Sequence, residues 1–390
     1  MEKESYLKNN KKEFCTGCRA CELSCPKNCI NMKEDHEGFI YPVIDKTKCI
    51  DCGKCLKVCP VINNIKTKDK LDKKEVYGYK IDNKSTLLLS SSGGAFTSIV
   101  ESFCYDNFVI FGVKFDENLN AVHDFIQDKK DIQMFRKSKY VQSDVKDSYK
   151  KAKEFLNKGC KVLFTGTPCQ IAGLKKYLNK EYENLLSVEI ICHGVPSKKV
   201  LNKYLEFEEN KYNSKVKSIN FREKVEKDGK YNSRNLKLVL ENGKEIVEDS
   251  QKNIYLKGFH KGLFYRPSCY TCKFANTNRN ADITIADSWG IENIYKDIDV
   301  HQGHSLVILN TKKGKEYFNT NQEETIKLDE QFVINNNAQY SRPTKVHKNR
   351  EKFFNNLDKM PIDKLVNKCT KVPLVKRVVA KGLRLLKIKR

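Results

Sequence analysis

No stretch of the sequence holds about 18 consecutive apolar residues, which excludes a membrane-spanning helix of the usual length. The first residues, MEKESYLKNNKKEF, have no apolar core of the kind a signal peptide needs, so the expectation is a chain that stays in the cytoplasm. Acids are scarce: 49 Asp and Glu face 73 Lys and Arg over 390 residues, a formal net charge of +24. No helix-turn-helix or RNA-binding signature accompanies that charge. It is spread as lysine among asparagines rather than gathered in an arginine-rich face, so nucleic acid is set aside as a partner. At 39% hydrophobic residues the chain lies far from the disordered class, and its length allows two or three domains with a sizeable core.

Cysteine is abundant by contrast, at sixteen residues. In a reducing compartment these do not form a disulfide framework, and spaced cysteines read as metal or redox sites. Nine of them fall within Cys15–Cys59. Cys15, Cys18, Cys21 and Cys25 are spaced C-x2-C-x2-C-x3-C before Pro26, and Cys49, Cys52, Cys55 and Cys59 repeat the pattern before Pro60. Three cysteines at i, i+3 and i+6 wrap one turn around a cubane, while the fourth serves the partner cluster. The pairing expected is Cys15, Cys18 and Cys21 with Cys59, and Cys49, Cys52 and Cys55 with Cys25. Zinc knuckles would have no use for the third C-x2-C step or the trailing C-P. Two [4Fe–4S] clusters are therefore expected, with Cys29 a small buried filler beside the first. A basic, cluster-bearing chain is suited to an acidic ferredoxin or flavodoxin as its redox partner.

Beyond a polar, Lys-rich linker from Val61 to Lys74, the pattern is mixed. Val76–Ile81 reads as a strand, Ser90–Phe103 as a turn entering a helix, and Val109–Phe115 with Ala121–Ile126 as a hairpin. Ser148–Leu156 reads as a helix. Two strand–turn–helix units follow: Lys161–Thr165 with Gln170–Leu178, and Leu185–Cys192 with Ser197–Glu209. Such units argue for parallel pairing and an α/β core with ligands at the carboxyl ends of the strands. A hairpin (Leu236–Leu240, Glu245–Val247) and strands at Asp282–Ala286 and Ser305–Leu309 come next.

Several groups in this larger part can carry chemistry. Ser91, Ser92, Gly93 and Gly94 open a helix, and free N–H groups there suit a phosphate or a flavin carbonyl as well as an ordinary cap. Cys169 follows Gly166, Thr167 and Pro168 at the start of a helix, a position that lowers a thiol pKa. Cys192 occupies the matching place in the next unit, and Cys269 and Cys272 form a C-x2-C. A shared metal site and separate inert thiols are both open on the residues alone. His193 is either an acid–base group or a hydrogen-bonded turn histidine. Asp282, Asp287 and the single tryptophan, Trp289, either cap a cofactor pocket or are structural. Cys104, Cys160 and Cys369 read as structural.

SSGGAFT within Ser91–Thr97, GTPCQIAGL at Gly166–Leu174, CHGVPS at Cys192–Ser197, Cys269–Lys273 and ADITIADSWG at Ala281–Gly290 together resemble the family of coenzyme F420 hydrogenase/dehydrogenase beta subunits. The resemblance covers roughly residues 75–335. It implies that Cys169, Cys192, Cys269 and Cys272 ligate a third [4Fe–4S] cluster. It also implies that Ser91, Ser92, Gly93, Gly94, Gly166, Thr167 and Pro168 lie against FAD. The fold expected is α+β or α/β, a two-cluster ferredoxin-like module fused to a larger mixed α/β flavin-binding domain.

The implied division is 1–64 for the dicluster domain, 65–74 for a linker, 75–158 and 159–335 for the two family regions, and 336–390 for an extension with a basic tail. The function implied is an iron–sulfur flavoprotein oxidoreductase exchanging hydride with an F420-like deazaflavin or another conjugated small molecule, with a ferredoxin-like or other redox protein as partner. The alternative is a non-catalytic electron-transfer subunit wiring a partner enzyme. In the tail, Lys371–Arg390 has no acid and carries apolar residues near helical spacing. An amphipathic helix on an anionic membrane face, a disordered tail and packing on the core all remain open, so peripheral contact at the inner membrane face is carried as an expectation.

Overall fold

The cysteine motifs fold as two matching turns with the same unusual backbone. In the computed structural model, which describes residues 4–371 apart from 64, 66, 105, 228–229 and 322–323, both neighbours of each second cysteine are left-handed. Gly17 (φ +71°) and Arg19 (φ +59°) flank Cys18, and Asp51 (φ +50°) and Gly53 (φ +67°) flank Cys52. One neighbour is glycine in each copy, with the positions exchanged, so each turn holds one side chain in a conformation glycine adopts more readily. Short helical turns follow at Ala20–Leu23 and Lys54–Lys57. Between the motifs lies a hairpin of β1 (Ile30–Glu34) and β2 (Ile40–Ile44), with Ile30 opposite Ile44. Its turn is set by Asp35, whose carboxylate accepts the amides of Glu37 at 3.0 Å and Phe39 at 2.9 Å.

The larger part follows in the order β3 (Lys70–Lys80), α1 (Ala95–Phe103), β4 (Phe108–Phe115), β5 (Ala121–Ile126), α2 (Ser148–Asn157), β6 (Lys161–Gly166), α3 (Pro168–Leu178), β7 (Leu185–Ile190) and α4 (Lys198–Tyr212). Then come β8 (Val216–Lys227), β9 (Lys230–Leu240), β10 (Glu245–Asp249), α5 (Ile254–His260), β11 (Ile283–Asp287), β12 (Ser305–Thr311), β13 (Glu324–Leu328) and α6 (Ile362–Thr370). Eight strands form one sheet in the order β13-β3-β12-β11-β7-β6-β4-β5, and β10-β9-β8 form a second. The central strands β4, β6, β7 and β11 pair in parallel, as the two strand–turn–helix units imply. Their flanks are antiparallel. Val162, Leu163 and Phe164 of β6 are all fully buried, which is why that strand reads as an unbroken apolar run.

Helix α3 starts sharply because Thr167 and Gln170 form a capping box and Pro168 occupies the first turn. It stops at Asn179, which is left-handed at φ +54°. The carboxyl ends of β6, β7 and β11 thus release Thr167, Cys192 and Asp287 toward the same edge of the sheet.

Some elements differ from the sequence expectations. β3 begins at Lys70, well before Val76. Its first half pairs only with β12 and forms a sheet edge, where lysines are tolerated, while β13 covers only Val76–Lys80. β8 and β13 were not expected, nor was the β1–β2 hairpin. The segment after 336 joins the core: Phe353, Leu365, Val366 and Cys369 are buried in the same cluster as α4 and α5. Beyond Lys371 the basic tail lies outside the described residues. Among the described residues no helix is long and apolar enough to cross a membrane. The molecule is thus a mixed α/β protein with a ferredoxin-type module ahead of a larger α/β part.

Candidate metal centres and the adjoining cavity

The three cysteine groups lie in sequence-distant but spatially ordered sets. Cys15, Cys18, Cys21 and Cys59 line one small space of about 30 Å³, closed by Phe14, Met32, Pro42 and Val61. Burial pushes the Cys18 thiol up to about 12, with Cys59 and Cys15 adding to the shift. Cys55 feels Cys52 and Cys49. Cys29 lies with Cys25 and Cys49, its Sγ 3.3 Å from that of Cys25. Cys29 is therefore beside the second set, not the first as expected. A tight turn at Asn28 (φ +48°) follows Cys25 and carries Cys29 along with it.

The third set brings together the carboxyl ends of two parallel strands and the C-x2-C. Cys272 and Cys269 act on Cys169, and Cys169 and Cys272 act on Cys192, whose thiol burial pushes up to about 12. The helix N-terminus does not lower Cys169 as expected. Burial first, then Cys272, drive that thiol up against the hydrogen bond with Thr167 Oγ1. This set adjoins the first. Cys18 packs on α3 at Gly173, and Val61, Ala172 and Phe274 form one apolar cluster contacted by Cys59, Cys169 and Cys272. No group of three or more His, Cys, Asp or Glu side chains among the described residues is gathered for a single metal ion. A tetrahedral zinc site would hold its thiolates about 3.8 Å apart, whereas a four-iron cubane spreads them further. All-thiol donor sets fit such clusters; in the second set Cys52 is exposed and Cys49 Sγ lies 3.6 Å from the Asp51 carboxylate.

The third set forms part of the wall of a cavity of about 630 Å³, the size of a cofactor or ligand pocket. Ser91, Ser92, Gly94, Gly166, Thr167 and Pro168 also line it. Gly93 does not. A Cβ there would meet Tyr79 O at 2.2 Å and Ser305 N at 2.6 Å, so this glycine lets the loop lie against β3 and β12. The serine loop is held rigidly. Ser91 Oγ accepts the Ser138 amide at 2.8 Å, Ser92 Oγ donates to His304 O at 2.9 Å, and Lys224 Nζ donates to Ser92 O at 2.8 Å.

The lining is strongly cationic. Arg136, Lys137, Lys139, Arg222, Arg234 and Arg266 line it, and Asp287 is its one carboxylate among the described residues. Arg222 donates to Asp287 at 2.8 Å and to Ser91 O at 3.0 Å. Burial pushes Asp287 up, but Arg222 and hydrogen bonds from it and Ser92 outweigh this and keep the carboxyl below its usual range. Arg234 lies 4.8 Å over the Trp289 ring. Burial lowers Lys139 to about 7 although its ammonium donates to three carbonyls, those of Met134, Arg136 and Lys137. An apolar space with converging cations and one paired acid suits an anionic aromatic ligand.

Of the residues singled out from the sequence, Asp282 is not part of this cavity. Its carboxylate accepts the Ser187 amide at 2.8 Å and the Thr311 hydroxyl at 2.9 Å, tying strands together. Sequence reading missed Arg222, on the unexpected strand β8, and it missed Gln142 and the Lys137–Tyr140 segment. A polar residue in an irregular segment carries no periodic signal.

Residues 159–331 match the family model described as the C terminus of the coenzyme F420 hydrogenase/dehydrogenase beta subunit, and residues 14–63 match a 4Fe-4S dicluster domain. The chain is similar to a coenzyme F420-dependent sulfite reductase of Methanocaldococcus jannaschii, at 27% identity over 81% of this chain and 47% of that one. It is also similar to one of the subunits of the F(420)H(2) dehydrogenase of Methanosarcina mazei, at 22% identity over 48% of this chain and 57% of the other. The chain thus spans about half the length of these curated relatives. A solved F420-reducing [NiFe] hydrogenase complex from Methanosarcina barkeri aligns over 78% of this chain and 91% of its own, at 19% identity and a TM-score of 0.41.

Proposed function

The chain belongs to the family of coenzyme F420 hydrogenase/dehydrogenase beta subunits, with a 4Fe-4S dicluster domain ahead of the shared region, and from that premise we propose an iron–sulfur flavoprotein oxidoreductase. Its substrate is a hydride-exchanging small molecule, an F420-like deazaflavin or another conjugated compound, and its protein partner a ferredoxin-like or other redox protein. Cys15, Cys18, Cys21 and Cys59 would hold one [4Fe–4S] cluster, and Cys25, Cys49, Cys52 and Cys55 a second. Cys169, Cys192, Cys269 and Cys272 would hold a third. FAD would occupy the cavity against the Ser91–Gly94 loop and Gly166–Pro168. When bound, clusters supply one-electron chemistry and a flavin exchanges it for two-electron hydride chemistry.

The observation that carries this reading is the cavity itself, which has four half-buried thiols in one wall and a fixed serine loop with cations in the others. The chain's own residues then have definable tasks. Arg222, held by Asp287, fixes the Ser91 carbonyl and leaves the loop offering backbone rather than mobile hydroxyls. Lys137, Lys139 and Arg136 favour an anionic ligand. Thr344 donates to His193 O at 2.6 Å and, with Pro343, covers one side of the cavity. The apolar cluster of Val61, Ala172 and Phe274 keeps water from the contact between the first and third thiol sets.

The test is optical. Anaerobically purified protein is titrated with a reduced deazaflavin and, separately, with dithionite. Bleaching of flavin and cluster absorption by both supports the oxidoreductase. Bleaching by dithionite alone, with no flavin band, leaves the non-catalytic electron carrier.

A further inference from the structure

Three arginines are buried among the described residues, Arg222, Arg266 and Arg279, and two of them have a carboxylate. Arg222 pairs with Asp287 at 2.8 Å, and Arg279 pairs with Glu189. Arg266, the largest fully buried side chain, makes no ion pair with a carboxylate among the described residues. Its guanidinium donates to Cys15 O at 2.7 Å, Ile40 O at 2.8 Å and Gln142 Oε1 at 3.1 Å. It also lies 4.3 Å from the centre of the Tyr41 ring. Carbonyl dipoles and a ring face solvate a cation without cancelling it, and a buried charge left uncompensated is strongly destabilising.

The groups that act most strongly on Arg266 are Cys15, Tyr41 and Cys269, the last on the turn that Arg266 opens, where the Cys269 amide donates to Arg266 O at 2.9 Å. Burial drives the Tyr41 phenol far above its ordinary range, so it stays neutral. What remains is one cysteine from the first thiol set and one from the third. We infer that Arg266 is the shared counter-charge of these two sets and raises the reduction potential of the cluster each one holds. This rests on reading both sets as cluster ligands. Thiolate-ligated four-iron clusters are net anions that gain a further negative charge on reduction, and a fixed cation in a dry environment favours that gain. The Cys25–Cys49–Cys52–Cys55 set shares neither cysteine and serves as an internal reference.

The experiment is an EPR-monitored redox titration of the full chain, with iron and acid-labile sulfide measured on the same samples. The reference signal is assigned as the one lost in Cys52→Ala. Two variants are compared with wild type. Arg266→Gln removes the charge. Gln142→Glu keeps Arg266 and gives it a nearly isosteric carboxylate at the Gln142 position. In both, two midpoints are expected to move to more negative potential while the reference midpoint and the iron content stay unchanged.

Unshifted midpoints in an iron-replete Gln142→Glu protein overturn the inference, and so does an equal shift of all three. If Arg266→Gln fails to fold or load iron, Gln142→Glu decides alone. Wild-type protein lacking iron in the first or third set overturns the ligand reading and the inference with it, and that failure shows in the metal analysis rather than in the potentials.

Discussion

Arg350 grips Glu37 with both prongs of its guanidinium, at 2.9 and 2.6 Å, and so ties the C-terminal segment to the N-terminal module. The same guanidinium donates to Tyr265 O at 3.0 Å and lies over the Phe354 ring, while Ser197 Oγ donates to Glu37 O at 2.6 Å. The module is thus held from two sides by segments far from it in sequence. Removing one partner of a mostly buried pair leaves the other charge uncompensated, so Glu37→Gln should cost on the order of 3 kcal/mol. The fall should appear as a lower urea midpoint and as faster proteolytic release of the module. A Glu37→Gln/Arg350→Met double variant should recover part of the loss.

Gly173 is the seat of the first thiol set on α3. A Cβ there would meet Tyr149 Oη at 2.8 Å, Cys18 Cβ at 3.0 Å and Cys18 Sγ at 3.1 Å. Alanine is the better helix former by about 1 kcal/mol. Gly173→Ala should nonetheless destabilise the protein by about 1–3 kcal/mol through overpacking. Thermal unfolding checks this, and iron content per chain should fall together with the melting temperature.

Arg222 and Asp287 make a different prediction. Arg222→Leu leaves a buried carboxylate without its counter-ion and should cost about 3–5 kcal/mol. It also frees the Ser91 carbonyl, so flavin retained per chain should drop. An Arg222→Met/Asp287→Leu double variant should regain much of the stability but not the flavin, which separates folding from binding.

His123 should give the protein a local source of acid sensitivity. It is buried, stacked on Phe164 at 5.5 Å, and bonded through Nε2 to Thr165 O at 3.2 Å, with Asp144 facing it. Burial lowers its pKa to about 4 against the pull of Thr165 O and Asp144. A histidine depressed in the folded state binds fewer protons there than in the unfolded chain between about 4 and 6.5. Its contribution is therefore present above 6.5 and lost as pH falls through that window, on the order of 3 kcal/mol in all. His123→Leu should cost about 1 kcal/mol at pH 7, and its urea midpoints should fall less steeply between pH 6.5 and 4.

Much of this was legible in the sequence, and the reasons are physical. Cysteine spacing follows the shape of the group it surrounds, so two sets were expected within Cys15–Cys59, and the structure brings Cys59 to the same small space as Cys15, Cys18 and Cys21. The strand–turn–helix units around Gly166 and Cys192 were legible because buried parallel strands are continuous apolar runs ending in capped helices. The long strand β8 was not. Its residues alternate weakly, and the charged Arg222 and Lys224 are buried on it, held by Asp287 and by the carbonyls of Leu87 and Ser92. Arg266 stood beside the C-x2-C in the sequence, but its role depends on β2 and Gln142, which come from other parts of the chain. Cys29 could not be assigned to a set by spacing, because the turn at Asn28 decides which way it points.

On the proposed reading, three thiol sets and one cavity together carry three clusters and a flavin. The direct measurement is iron, acid-labile sulfide and FAD per chain in protein purified without oxygen. The account predicts about twelve irons, about twelve sulfides and one FAD, with roughly a third of the iron lost in Cys169→Ala. About eight irons, unchanged by Cys169→Ala, would contradict the third set as a cluster site. The same iron without flavin, even after reconstitution, would also contradict the oxidoreductase.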